Sequence, residues 1–330
     1  MKKYTNSLLV LLILLTFSTI YVSCTEDNNP TTPPTTGVTS IQANGTVQQV
    51  SRTETTGTLI VVDQNGAPVS GITNSNVKAY LRWPAKMADS VSGAVTISSN
   101  TGSGKNVSGA VTMDYSGSMG SQQIACMEQG VRTYINAMGT NDQSEIIKFD
   151  DQVIVAQPFT NNKTLLLNAV DSNFFLGGST ALYQSIYKGT TDIIPVSSSQ
   201  YIRAVIAFTD GGENASSVSR ATMISTALTN AIPVYSIFLY SDTSNSLAKD
   251  MRNIADTTGG FFFWAKPDST CSSSLTGVYN TIKGQISGSY TMDVIWPSGS
   301  LPPTGTLVRV TFFIEYSGLK TSFTKTYNIL

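Results

Sequence analysis

The sequence predicts an α/β fold, a doubly wound domain with a mainly parallel sheet, inserted between two groups of β strands. Three observations carry this. From residue 107 to 287, short apolar runs alternate with helical patterns, as a parallel sheet with crossover helices requires. One of those runs, "RAVIAFTD" (203–210), is apolar almost throughout, which suits a strand buried on both faces. On either side of this region the strands instead read as short alternating runs, cut by Asn-Gly and Pro turns.

Taken in order, the N-terminal flank offers "GTVQQVS" (45–51), "GTLIVVD" (57–63), "VKAYLRW" (77–83) and "GAVTISSN" (93–100). The central region opens with the strand "SGAVTMDYS" (108–116). A helix over 121–138 follows, because Ile124, Met127, Val131, Tyr134, Ile135 and Met138 recur at spacings of three and four. "EIIKFDD" and "VIVAQPFT" form a hairpin, so one edge strand of the sheet should be antiparallel. Helices are expected in "NKTLLLNAV", after "GGSTAL", and in "SRATMISTALTNA", "SLAKDMRNIADTTGG" and "SLTGVYNTIKGQIS"; strands in "PVYSIFLYS" and "GFFFWA". The aromatic run "FFFW" (261–264) reads as core. On the C-terminal side lie "SYTMDVIW", "LVRVTFFIEYSG" and "KTSFTKTYNIL". Neither flank buries a face alone. Together they make about the seven strands of an immunoglobulin-like sandwich; two small separate β modules are the alternative. The expected domains are 39–106 and 288–330 for the sandwich and 107–287 for the inserted α/β domain.

The N-terminus has its own logic. Lys2 and Lys3 precede an apolar run from Leu8 to Ile20, the pattern of a secretion signal over 1–23. "CTEDNNPTTPPTTG" is acidic and then rich in Pro and Thr, so 24–38 reads as a disordered tether. "YVSC" resembles a bacterial lipobox, which implies cleavage before Cys24 and lipidation of its thiol. Glu26 and Asp27 resemble the export signal of bacterial surface lipoproteins. The expected location is therefore the cell envelope, as an outer-membrane lipoprotein that is surface-exposed; a periplasmic or secreted protein is the alternative. Export permits disulfides. Cys126 and Cys271 either pair or stand as two buried thiols.

Composition closes several doors. A net charge of −1 without a Lys/Arg cluster gives nucleic acid no electrostatic footing. With no histidine in the chain, a Ser-His-Asp triad is impossible. "SGSMG" fails as a nucleophile elbow because Ser116 stands where glycine is needed. "GSGKN" lies before a strand and reads as an exposed turn. The cysteine spacing is wrong for zinc. No enzyme is expected.

What remains is an oxygen-rich constellation. In open α/β sheets, ligands bind at the carboxyl ends of the strands. Asp114, Ser116 and Ser118 sit where the first central strand ends, Thr180 in the loop "GGSTAL", and Asp210 at the end of the buried strand in "FTDGGEN". Two carboxylates and three hydroxyls suit a hard divalent cation such as Mg²⁺, which is usually held by one or two carboxylates plus waters. For any one of these residues, turn or N-cap chemistry is an ordinary alternative. Asp150-Asp151 reads as turn chemistry.

"DYSGS", the Thr of "GGST" and the Asp of "TDGG" resemble the von Willebrand factor A family and its metal-ion-dependent adhesion site, over about 107–287. The resemblance implies a Rossmann-like fold and Mg²⁺, or Mn²⁺ or Ca²⁺. It implies that Ser116 and Ser118 bind the ion directly, that Thr180 binds directly or through water, and that Asp114 and Asp210 act mostly through water. A sixth position would then take an Asp or Glu carboxylate from a protein partner. Tyr115, Glu213 and Asn214 lie close enough in sequence to contact such a ligand; Glu213 and Asn214 equally suit a turn. In the family the first and last helices are neighbours, so a Cys126–Cys271 bond would restrain the last one. Two functions follow: a metal-dependent adhesion module anchored to the membrane by lipid, or a structural component of an envelope complex in which the metal mainly stabilises.

Overall fold

The computed structural model describes residues 37–87, 89–172, 177–267 and 271–330, without the side chains of 271–274 and 276. The secretion signal, Cys24 and nearly all of the tether lie outside the described residues. Val38–Leu330 form one compact unit.

The N-terminal flank supplies β1 (Ile41–Gly45), β2 (Gln48–Ser51), β3 (Glu54–Asp63), β4 (Val77–Arg82) and β5 (Val91–Ser99). The central region supplies β6 (Asn106–Asp114), α1 (Ser121–Ala137), β7 (Gln143–Phe149), β8 (Val153–Thr160), α2 (Lys163–Asp171), α3 (Leu182–Ile193), β9 (Tyr201–Thr209), α4 (Arg220–Thr229), β10 (Val234–Leu239), α5 (Ser246–Thr258), β11 (Phe262–Ala265) and α6 (Cys271–Ser287). The chain closes with β12 (Tyr290–Ile295), β13 (Leu307–Tyr316) and β14 (Leu319–Asn328).

The central sheet has the order β11-β10-β9-β6-β7-β8. All its pairs are parallel except β7–β8, so β8 is the antiparallel edge that the hairpin predicted. Apolar side chains cover both faces. One cluster joins β6 and β9 to α1, α2 and α6; the other joins them to α3, α4 and α5. This is why β9 carries almost no polar residue.

The flanks make one sheet of order β1-β3-β12-β5-β4-β13-β14, with β2 added to β3. C-terminal β12 lies between N-terminal β3 and β5, and β13 beside β4, so the two flanks complete each other. The fold-over occurs within β5. Val91–Gly93 pair with β4, while Ala94–Ser99 pair with β12. Gly93 sits at that change of partner, where a Cβ would fall 2.4 Å from Val294 Cγ1 and 2.8 Å from the Trp296 ring. The two layers enclose their own apolar core.

The structure has one N-terminal strand more than the sequence suggested. β1 ends in Asn44-Gly45, which reads as a turn signal. Instead, Asn44 Nδ2 donates to the carbonyls of Asp256 (3.2 Å) and Gly260 (2.8 Å) at the end of α5. The two lobes are further joined by Ile60 and Val62 of β3, which enter the core beneath α6, and by Gln285 donating to the Gly66 carbonyl. "FFFW" also differs from expectation. Phe261–Phe263 are half-buried but Trp264 is 44% exposed, because β11 is an edge strand. No helix among the described residues is long and apolar enough to cross a membrane.

Candidate metal site

Three loops meet at the carboxyl edge of the central sheet. The first, 114–120, follows β6. Asp114 is fully buried. Its Oδ1 accepts the Ser116 backbone N–H (2.8 Å) and its Oδ2 accepts Thr209 Oγ1 (2.5 Å). This turns the chain so that the Ser116 and Ser118 hydroxyls stand 3.3 Å apart. The third loop joins through Asp210, whose Oδ1 accepts Ser118 Oγ at 2.7 Å. The second loop, 177–181 before α3, lies against the other two. A Cβ on Gly117 would meet the Gly177 carbonyl oxygen at 3.2 Å; one on Gly211 would meet Ser118 Oγ at 2.7 Å and Thr180 Oγ1 at 3.9 Å. A side chain at either glycine would press the loops apart or displace the Ser118 hydroxyl. Asp114, Ser116, Ser118, Thr180 and Asp210 are thus brought to one place. Four of them are buried and Ser118 is exposed, which marks the side open to solvent.

The electrostatics suit a cation. Burial, the dominant cause, pushes the Asp114 carboxyl up to about 6; neighbouring Asp210 adds to this, and the bonds from Thr209 and Ser116 oppose it. Asp210 is raised as well, mainly by burial, against hydrogen bonds from Ser118 and Gln123. Two desolvated carboxylates of like charge favour a positive ion between them. Among the described residues no group of three His, Cys, Asp or Glu side chains could hold a metal. The oxygens brought together here are those of two carboxylates and three hydroxyls, all hard, a set that suits a hard divalent cation.

Three supporting residues were not singled out from the sequence as part of the site. Thr209 holds Asp114. Gln123, in the first turn of α1, accepts the Gly120 N–H and donates to Asp210 Oδ2 (2.5 Å) and to the Leu239 carbonyl (3.3 Å). A glutamine three residues after an N-cap is a recognisable capping position, but its reach to Asp210 has no local signature. Asp150 makes the expected turn bond to Gln152 and also carries the second loop: its Oδ2 accepts Gly177 N–H and its carbonyl accepts Ala181 N–H.

Of the three residues expected near a ligand, Tyr115 is placed differently, while Glu213 and Asn214 take the turn role that the sequence equally allowed. Tyr115 is 4% exposed, its hydroxyl bonded to Glu128 and its ring 4.9 Å from the Lys148 ammonium. It is a core residue, which corrects the expectation that it meets a ligand: the residue after Asp114 points inward beneath α1. Glu213 accepts four bonds, from the Tyr183, Ala215 and Ser216 N–H groups and the Ser216 hydroxyl. Asn214 Oδ1 accepts the Thr180 N–H. Both finish the third loop and tie it to the second. Cys126 is buried and disulfide-bonded. Cys271 begins α6, and its side chain lies outside the described ones.

The profile of the von Willebrand factor type A domain family matches residues 110–276, just over half the chain. The chain belongs to that family. Its solved structural neighbours include an aerotolerance-related membrane protein from Bacteroides fragilis (17% identity, 55% of this chain and 98% of that one, TM-score 0.45). A von Willebrand factor type A protein from Catenulispora acidiphila shares 12% identity over 88% and 72% of the two chains, with a TM-score of 0.46. Manganese-loaded TRAP protein from Plasmodium vivax shares 13% over 71% and 96%, at 0.45. No curated protein sequence matches the chain.

Proposed function

We propose that this von Willebrand factor A protein binds a protein or other macromolecular ligand through a divalent cation held by Asp114, Ser116, Ser118, Thr180 and Asp210, and that it does so as an exported, lipid-anchored protein of the cell envelope. The observation that supports the metal most is the meeting of three loops around two buried carboxylates of raised pKa. When bound, the ion, Mg²⁺ or alternatively Mn²⁺ or Ca²⁺, supplies a hard positive centre able to accept an outside oxygen. The chain's own residues set the terms. Asp114 and Asp210 balance the charge, Thr209 and Gln123 hold those carboxylates, and exposed Ser118 marks the approach. An Asp or Glu side chain of a partner is the ligand this near-neutral pocket favours. We assign it no catalytic step.

Export and anchoring are supported by the sequence of the first 37 residues, through Lys2, Lys3, the apolar run and Cys24. The test couples both halves. Intact protein should label with radioactive palmitate in its native type of host and Cys24→Ser should not. Immobilised protein should capture envelope or host-surface proteins in Mg²⁺, release them in EDTA, and lose them in Asp114→Ala. Capture indifferent to EDTA and to Asp114→Ala would refute the metal-bridged reading; equal labelling of Cys24→Ser would refute the anchor.

A further inference from the structure

We infer that the ligand carries a second anchor: a compact apolar side chain, next to its carboxylate in an extended segment, that enters a pocket adjoining the metal position. This rests on the metal-bridged reading and specifies the partner. A cavity of about 250 Å³ lies between the starts of α3 and α5, lined chiefly by Leu182, Tyr183, Gly211, Gly212, Leu247 and Met251. Gly211 is the shared wall. The same backbone that would set a Cβ 2.7 Å from Ser118 Oγ and 3.9 Å from Thr180 Oγ1 borders this cavity. In an extended chain successive residues advance about 3.3 Å, so the neighbours of a metal-bound carboxylate reach across one glycine.

The pocket's chemistry selects its occupant. Leu182 and Met251 form a buried floor, and Leu247 leans on the backbone of Gly212, where a Cβ would fall 2.7 Å from its Cδ2. The Tyr183 hydroxyl and the two carboxylates of the lining already have partners within the chain. Tyr183 Oη donates to Asp250 Oδ2 at 2.9 Å, and Asp250 Oδ1 accepts Arg220 Nε at 2.6 Å. The Glu213 carboxylate is spent on its own loop and on Tyr183 N–H. A charged or strongly polar guest would lose water and have to compete with these internal bonds for a partner. A leucine-sized guest gains apolar burial. Ser246 at the rim is exposed, so the mouth opens to solvent.

The test uses capped octapeptides of Gly and Ser with a single Glu, in which Leu, Ser or Arg is placed one or two positions to either side. Affinity is read by fluorescence anisotropy in saturating Mg²⁺ and in EDTA. At least one Leu register should bind about tenfold more tightly than its Ser counterpart, and Arg should gain nothing. Leu247→Phe should fill the pocket and abolish that preference while the all-Ser peptide binds as before. Leu247→Ala, should Leu247→Phe melt early, should move the preference to a larger apolar residue. EDTA-sensitive binding that ignores the scanned residue, or a preference that survives both Leu247 variants, overturns the pocket and leaves the metal reading standing. EDTA-sensitive binding by none of the peptides overturns both.

Discussion

At the carboxyl ends of β6 and β9 the chain buries Asp114 and Asp210 and surrounds them with hydroxyls from three loops. At the opposite end of the same sheet, where the sandwich docks, it buries Lys325 of β14, whose Nζ donates to the carbonyls of Asp256 (2.7 Å) and Thr257 (2.9 Å) in the last turn of α5. Both ends bury charge, but to different effect. The Lys325 ammonium, though burial penalises its charge, finds its partners within the chain, two carbonyls at the negative end of a helix. The carboxylates share only neutral donors, and their like charges leave a demand for a cation. One end is finished by the chain itself; the other is the one we propose a cation completes.

The largest expected effect breaks the comparison at the docking end. Gly259, at φ +100°, caps α5, and a Cβ there would fall 2.2 Å from the Gly45 carbonyl oxygen. Gly259→Ala should destabilise the protein by about 3 kcal/mol in urea unfolding, from the left-handed backbone and the overlap together. Mg²⁺ affinity of the folded fraction should not change. Gly178, beside Thr180, has nothing within 4 Å of its Cβ position. Gly178→Ala should stay within about 0.5 kcal/mol of the parent. Equal losses from the two substitutions would show that the ends are not built differently.

A smaller effect sharpens the contrast by pH. Burial pulls the Lys325 ammonium down to about 7 from its ordinary 10.5, against the favourable charge of Asp256. Between pH 7 and 10.5 the unfolded chain therefore carries a proton that the folded protein lacks, and stability rises with pH across this window, by at most about 1.4 kcal/mol per pH unit. Below pH 7 this contribution is flat. Lys325→Met should remove the rise in denaturation series at pH 7, 8 and 9. A rise that persists in the variant would assign the titration to another group.

The same contrast explains what the sequence could tell. Asp114, Ser116 and Ser118 fall within five residues, and Thr180 and Asp210 each sit in a glycine-rich loop beside an element of clear period, so the site was legible from local pattern. So were the hairpin of β7 and β8 and the doubly buried β9. The docking end was not, because its contacts join residues far apart in the chain: Asn44 and Gly260 are 216 positions apart, Lys325 and Asp256 69. Asn44-Gly45 read as a turn because the partner that makes it a strand end lies in a distant helix. Within the site, Gln123 and Asp150 were missed for the same reason, their bonds to Asp210 and Gly177 being set by packing rather than by spacing. Tyr115 was misplaced because a residue flanked by candidate ligands looks exposed, while the strand it extends turns it inward.

The central claim is that residues from three loops hold one divalent cation. Calorimetric titration of the folded protein with Mg²⁺ at neutral pH tests it most directly. We expect a single site in the parent protein and at least about tenfold weaker binding in each of Ser116→Ala, Thr180→Ala and Asp210→Ala, one variant per loop, with the fold retained by circular dichroism. Binding that is unaltered by all three substitutions, or absent from the parent protein, would contradict the account.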